Sequence, residues 1–311
     1  MLKRLPYLLL SLVALVAVAC GSGSSSSSGN PNSDAGATEE GYANPQILAE
    51  TAWLNGKLAD ASYAIVDLRK RESYDAGHIP GAVWYDSAKL KDPDEKLYVI
   101  RDSLFAQYLG DIGIDNSKTI VAYDDNAGLS STRFWWVLWY YGHSKAMVLN
   151  GGFPKWEKEG LAVSKEAARA AKVTFKTSVN DKVICALDYV NEQASKKNPN
   201  VVILDVRSPA EYSGADVRSA KGGHVPTAVN LDWTRSMSES EPKVWKSAAE
   251  LRSQFEQAGV KKGLEVITYC QTGVRAAHSL FTLRLVGYDS VRNYDGSWQE
   301  WGNNKDTPVG Q

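Results

Sequence analysis

The sequence predicts an α/β protein made of two tandem copies of one domain, each a doubly wound parallel sheet flanked by helices. Two observations carry this. Four sequence anchors recur in the same order, and short β-branched runs alternate with helical stretches inside each copy.

The first anchor is Ala64-Ile65-Val66-Asp67-Leu68-Arg69, matched by Val202-Ile203-Leu204-Asp205-Val206-Arg207. The second is Gly77-His78-Ile79-Pro80, matched by Gly223-His224-Val225-Pro226. The stretch between these two anchors is eight residues longer in the second copy, after which the register recovers: His78 to Tyr123 and His224 to Tyr269 both span 45 positions. The third anchor pairs Ile120 to Asp124 with Val266 to Cys270, and the fourth pairs Leu149 to Trp156 with Asn293 to Trp301.

From the N-terminus, Met1 to Arg4 carries two positive charges and Leu5 to Ala19 is almost continuously apolar. That is the pattern of an export signal, short for a bilayer span. It ends Ala17-Val18-Ala19-Cys20, which resembles a bacterial lipobox, so Cys20 is the expected lipidation site. Residues 21–42, rich in Gly and Ser, cannot build a core and read as a flexible tether. The expected location is outside the cytoplasm, membrane-anchored on the periplasmic side of the outer membrane or at the cell surface.

The first domain is placed at 43–163, a connector at 164–183 and the second domain at 184–311. Ala64 to Val66 and Val201 to Leu204 read as buried strands. Ser103 to Gly110, Arg133 to Tyr141, Ala248 to Gly259 and Ala276 to Val286 read as helices, two of them closed by Gly. The net charge of −1 argues against a nucleic-acid partner. The ten Trp and fifteen Tyr sit mostly in apolar runs and read as core. Cys20, Cys185 and Cys270 form no CxxC pair, and none of the four His stands at ligand spacing, so no metal or cofactor is expected.

Chemistry concentrates at Cys270, between a strand and the polar turn Gln271-Thr272-Gly273-Val274-Arg275, before a helix. Free N–H groups and the positive end of a helix dipole favour thiolate there, and Arg275 adds a positive charge. Gly273 lets the backbone curl so that N–H groups converge on one anionic sulfur. Asp67, Asp205, His78 and His224 recur in both copies and read as fold-maintaining. Cys185 reads as core filler.

Together, Asp205-Val206-Arg207 with Glu211 and Tyr212, the Gly-His-Val-Pro segment, the loop Cys270 to Arg275 and Tyr294-Asp295-Gly296-Ser297-Trp298 resemble a tandem-domain rhodanese. The resemblance covers nearly all of residues 43–311. It implies a sulfurtransferase in which Cys270 takes a sulfane sulfur and passes it to cyanide or another thiophilic acceptor. It further implies that Arg207 binds the donor anion and that the amides of Gln271, Thr272, Gly273, Val274 and Arg275 cradle a persulfide. The first copy resembles the family's inactive domain: Asp124 stands at the nucleophile position, and its loop is one residue longer.

A phosphatase loop resembles Cys-x5-Arg, whereas Cys270 and Arg275 are one residue closer. A cysteine protease would need a poised His, which the motif context does not provide. A surface-tethered binding protein on a dead rhodanese fold is opposed by the intact Cys270 and Arg207. Thiosulfate is the favoured donor over 3-mercaptopyruvate, because Arg207 and Arg275 would supply two positive charges to a dianion. Gln271 and Thr272 match neither donor class.

Overall fold

Each copy of the repeat folds around a five-stranded, all-parallel sheet. The structure is a computed structural model, and it describes residues 41–168 and 170–310. The expected leader, Cys20 and nearly all of the tether lie outside the described residues.

The first sheet has β1 (Leu48–Ala49), β2 (Tyr63–Asp67), β3 (Val83–Trp84), β4 (Thr119–Tyr123) and β5 (Ala146–Leu149), in the order β1-β5-β4-β2-β3. The second has β6 (Ile184–Cys185), β7 (Val201–Asp205), β8 (Val229–Asn230), β9 (Glu265–Tyr269) and β10 (Val291–Tyr294), in the equivalent order β6-β10-β9-β7-β8. Strands covered on both faces need apolar residues throughout, and every residue of β4 is buried. The connecting helices of the first copy are α1 (Thr51–Asn55), α2 (Arg71–Ala76), α3 (Asp102–Asp111), α4 (Leu129–Tyr140) and α5 (Gly152–Lys158). Those of the second are α6 (Leu187–Lys196), α7 (Pro209–Ser213), α8 (Ala248–Gln257), α9 (Val274–Leu285) and α10 (Ser297–Trp301).

Helices α4 and α9 begin earlier than their apolar stretches suggest, at Leu129 and Val274. Gly128 and Gly273 cap them with φ of +85° and +81°, so each chain turns directly from loop into helix. The two helices then pack against each other between the copies. Trp135 meets Phe281 edge-on at 5.0 Å between ring centroids, inside one apolar core that spans both copies. The far face of each sheet has its own smaller core.

The connector packs against the first copy. Phe175 is buried and meets Phe105 at 6.2 Å, and the amides of Val173 and Ser178 donate to the carbonyls of Gly110 and Tyr141. The buried Phe175 and these backbone bonds strap the connector to the first copy.

His278 on α9 is fully buried and stacks on Trp245 at 5.2 Å. Burial pushes its pKa down to about 3 from 6.5. The unfolded chain therefore binds this proton first, and stability should fall as pH drops from about 6.5 towards 3. Denaturant midpoints measured across that window should slope less steeply in His278→Leu than in the wild type; an equal slope would contradict a neutral buried imidazole.

Candidate active site

Cys270 follows β9 directly and is 1% exposed. Its Sγ accepts a hydrogen bond from the Gly273 amide at 3.1 Å. Val274 and Arg275 open α9, so their amides have no partner one turn back and remain available at the same helix end. The turn after β10 holds the loop from behind. The Cys270 amide donates to Ser297 Oγ at 3.2 Å, and Trp298 and Gln299 amides donate to the carbonyls of Cys270 and Gln271, both at 2.9 Å. Ser297 was not singled out from sequence, although the recurrent Tyr294 to Trp298 motif marks its turn. Gly273 has no room for a side chain: a Cβ there would lie 2.6 Å from Asp295 Oδ1 and 2.8 Å from its carbonyl oxygen.

The expected polar residues of the loop separate. The Gln271 side chain turns away from the sulfur and donates to the Arg218 carbonyl, Ser219 Oγ and Gln299 Oε1. Thr272 is half-buried. Arg275 does face Cys270, which favours its charge, but its guanidinium is also clamped by Glu211, with Nη1–Oε2 and Nη2–Oε1 of 2.7 and 2.8 Å. Burial opposes the Glu211 charge, yet the Arg275 fork and the Ser208 amide outweigh it and hold the carboxyl at about 2. Arg275 and Glu211 are thus a charged pair beside the sulfur.

Arg207 is held in a structural ion pair. Its side chain is 1% exposed, and its guanidinium pairs with Asp205, at 2.6 Å from Nη2 to Oδ2, and donates to the Gly223 carbonyl at 2.8 Å. It stacks 4.5 Å over Trp298. Arg69 repeats this arrangement in the first copy with Asp67, the Gly77 carbonyl and Phe153. An arrangement present in both copies, with and without a cysteine, locks the strand end to the Gly-His turn. Asp67 and Asp205 also accept from Tyr123 and Tyr269 hydroxyls at 2.6 Å, and His78 and His224 stack on Tyr74 and Tyr212.

In the first copy the equivalent cradle is filled by the protein itself. The buried Asp124 carboxylate accepts from the amides of Asn126, Gly128 and Ser131 and from the Ser131 hydroxyl. Burial pushes its pKa up, and these donors oppose the shift. Asp124 is therefore a structural cap. Burial likewise raises the Cys185 thiol, which keeps its proton.

Three residues given no role in the sequence reading complete the site. Asp295, after β10, accepts from the Val99 amide at 2.6 Å and from Arg133 of α4. Arg133 Nη1 also donates to the Gly273 carbonyl at 3.3 Å. Lys91, in the first copy, lies 3.8 Å from Asp295 Oδ1 and interacts electrostatically with Cys270.

Two parallel-sheet copies, one carrying a cysteine at a strand–helix junction and the other an inert carboxylate, define a tandem-domain enzyme with a sulfur-based centre in its second copy. A model of the rhodanese-like domain matches residues 50–159 and 187–304. The sulfur carrier protein TtuD of Thermus thermophilus is 33% identical over 282 residues, covering 86% of this chain and 98% of that protein. The thiosulfate sulfurtransferase of Azotobacter vinelandii is 34% identical over 278 residues with the same coverage. Among solved structures, the anaerobic ergothioneine biosynthesis enzyme from Chlorobium limicola superposes with a TM-score of 0.77 at 24% identity, covering 86% of this chain and 70% of that one, which shows a shared fold. The chain belongs to the rhodanese family, and it is a sulfurtransferase.

Proposed function

We propose that this sulfurtransferase takes its sulfur from thiosulfate and carries it as a persulfide on Cys270. The observation that carries the reading is the Gly273 amide aimed at Cys270 Sγ, at the start of α9 and beside Arg275. The Cys270 thiolate attacks the outer sulfur of thiosulfate. A new S–S bond forms, the old one breaks, and its electron pair leaves with sulfite. Cyanide or a thiolate then attacks the outer sulfur of the persulfide, forming thiocyanate or a new persulfide and returning the Cys270 thiolate. Negative charge crowds the site in the first step, so fixed N–H dipoles and cations stabilise the transition state more than the separated reactants. A dianion gains more from each nearby cation than a monocarboxylate such as 3-mercaptopyruvate. Steady-state kinetics on both donors test this: kcat/KM should be higher with thiosulfate, and the reverse order would overturn the donor assignment.

The proposal extends to location. The Ala17-Val18-Ala19-Cys20 junction and the Ser-rich tract behind it support a lipoprotein tethered through Cys20, with the enzyme working outside the cytoplasm. Cys20→Ala should move the protein from the detergent phase to the aqueous phase on phase partitioning, with sulfur transfer unchanged. A Cys20→Ala protein that still takes up labelled lipid would contradict the anchor.

A further inference from the structure

We infer that Lys91, from the copy that lacks the cysteine, supplies the positive charge that receives the anionic end of the donor at Cys270; this rests on the thiosulfate reading above. Each copy carries a backbone bridge, Lys91 with Val99 and Met237 with Trp245, at positions 146 apart, the same offset that relates Tyr123 to Tyr269. Each bridge docks on the other copy. Val99 donates its amide to Asp295, and Trp245 donates its amide to Asn150 Oδ1 at 3.1 Å. Likewise Arg133 of α4 reaches the Gly273 turn, while His278 of α9 packs at the Gly128 turn.

The matched places differ in chemistry. Beside Asp124 they hold Met237, the neutral His278 and Asn150. Beside Cys270 they hold Lys91, Arg133 and Asp295. Fold maintenance alone is met by the neutral set, so the charged set is specific to the copy with the cysteine. Its charges do not cancel. Asp295 is already within hydrogen-bond reach of Arg133 and the Val99 amide, whereas Lys91 Nζ stands 3.8 Å off. Lys91 donates to the Leu97 carbonyl, and an ammonium has two further donors to offer. The other cations have closer carboxylate partners: Arg207 pairs with Asp205, Arg133 with Asp295, and Arg275 with Glu211, from where it also faces Cys270.

The charged groups acting on Lys91 are Arg133, Asp295 and Cys270. Burial and Arg133 push its pKa down, Asp295 and Cys270 oppose this, and the result is about 8. Its charge is therefore lost as pH rises through about 8.

The test compares two donors of like shape and different charge: thiosulfate and the methanethiosulfonate anion, in which a methyl group replaces one charged oxygen. Both leave a sulfur on Cys270, one releasing sulfite and the other methanesulfinate. In Lys91→Met, kcat/KM for thiosulfate should fall about tenfold or more, and that for methanethiosulfonate clearly less. In the wild type, the ratio of the two should fall as pH rises through about 8, and in Lys91→Arg it should stay level. The pH arm carries the test if Lys91→Met does not fold. A wild type that does not use thiosulfate would overturn the donor reading and this inference with it. A wild type that does, with equal losses for both donors or none in Lys91→Met, or with a pH-independent ratio, would overturn the role of Lys91 alone.

Discussion

Cys270→Ser is expected to lower sulfur transfer from thiosulfate by at least about a thousandfold while the protein stays folded. Cys270 is 1% exposed, and its Sγ sits at the start of α9 with the Gly273 amide on it. A serine hydroxyl fits the same space and can take the same N–H, so packing changes little. It is a far weaker nucleophile at neutral pH, and an oxygen cannot form the disulfide-like bond that stores the sulfur. Among the described residues no second centre compensates. Asp124 fills the matching cradle of the first copy with its own carboxylate, and the Cys185 thiol is held protonated by burial. Turnover assayed with cyanide as acceptor, beside a thermal melt, separates loss of chemistry from loss of fold. Retention of more than about a tenth of the activity in a folded Cys270→Ser protein would place the chemistry elsewhere.

Gly273→Ala should cost about a hundredfold in the rate of persulfide formation and about 1–3 kcal/mol of stability. Two separate features of the position require glycine. Its φ of +81° disfavours any side chain, and a Cβ would press against Asp295 Oδ1 at 2.6 Å and the Asp295 carbonyl at 2.8 Å. Asp295 has little room to move, because Arg133 and the Val99 amide hold it from the first copy. The loop must therefore shift, which takes the Gly273 N–H off the sulfur. That donor acts where negative charge collects, as an oxyanion-hole donor does, so its loss falls on the chemical step. Single-turnover rates and denaturant unfolding measure the two effects. Wild-type rates in Gly273→Ala would show that this amide does not serve the sulfur.

The contrast between Cys270 and Arg207 shows how much of the site was legible in the sequence. The repeat, the strands around Ile65 and Ile203, and the cysteine at a strand–helix junction are local patterns, and local patterns survive in one dimension. Asp67, Asp205, His78 and His224 were legible as fold-maintaining because the inert copy repeats them. The same comparison applied to Arg69 and Arg207 would have marked Arg207 as structural. Arg275 was read as a cation near the sulfur, but its clamp on Glu211 joins residues 64 positions apart. The cluster of Lys91, Arg133 and Asp295 is not visible in the sequence because these residues meet only when the two copies pack, across separations such as 162 positions from Arg133 to Asp295. A cue did exist for Lys91: at the repeat offset it stands opposite Met237, a change of chemistry at a matched place.

The most direct test of the account is the mass of the protein after exposure to thiosulfate and removal of excess donor. The account predicts a gain of one sulfur atom, located on the peptide that contains Cys270, and released as thiocyanate when cyanide is added. In Cys270→Ser the gain should vanish. Sulfur found on Cys185, sulfur retained by Cys270→Ser, or a wild type that gains none would contradict it.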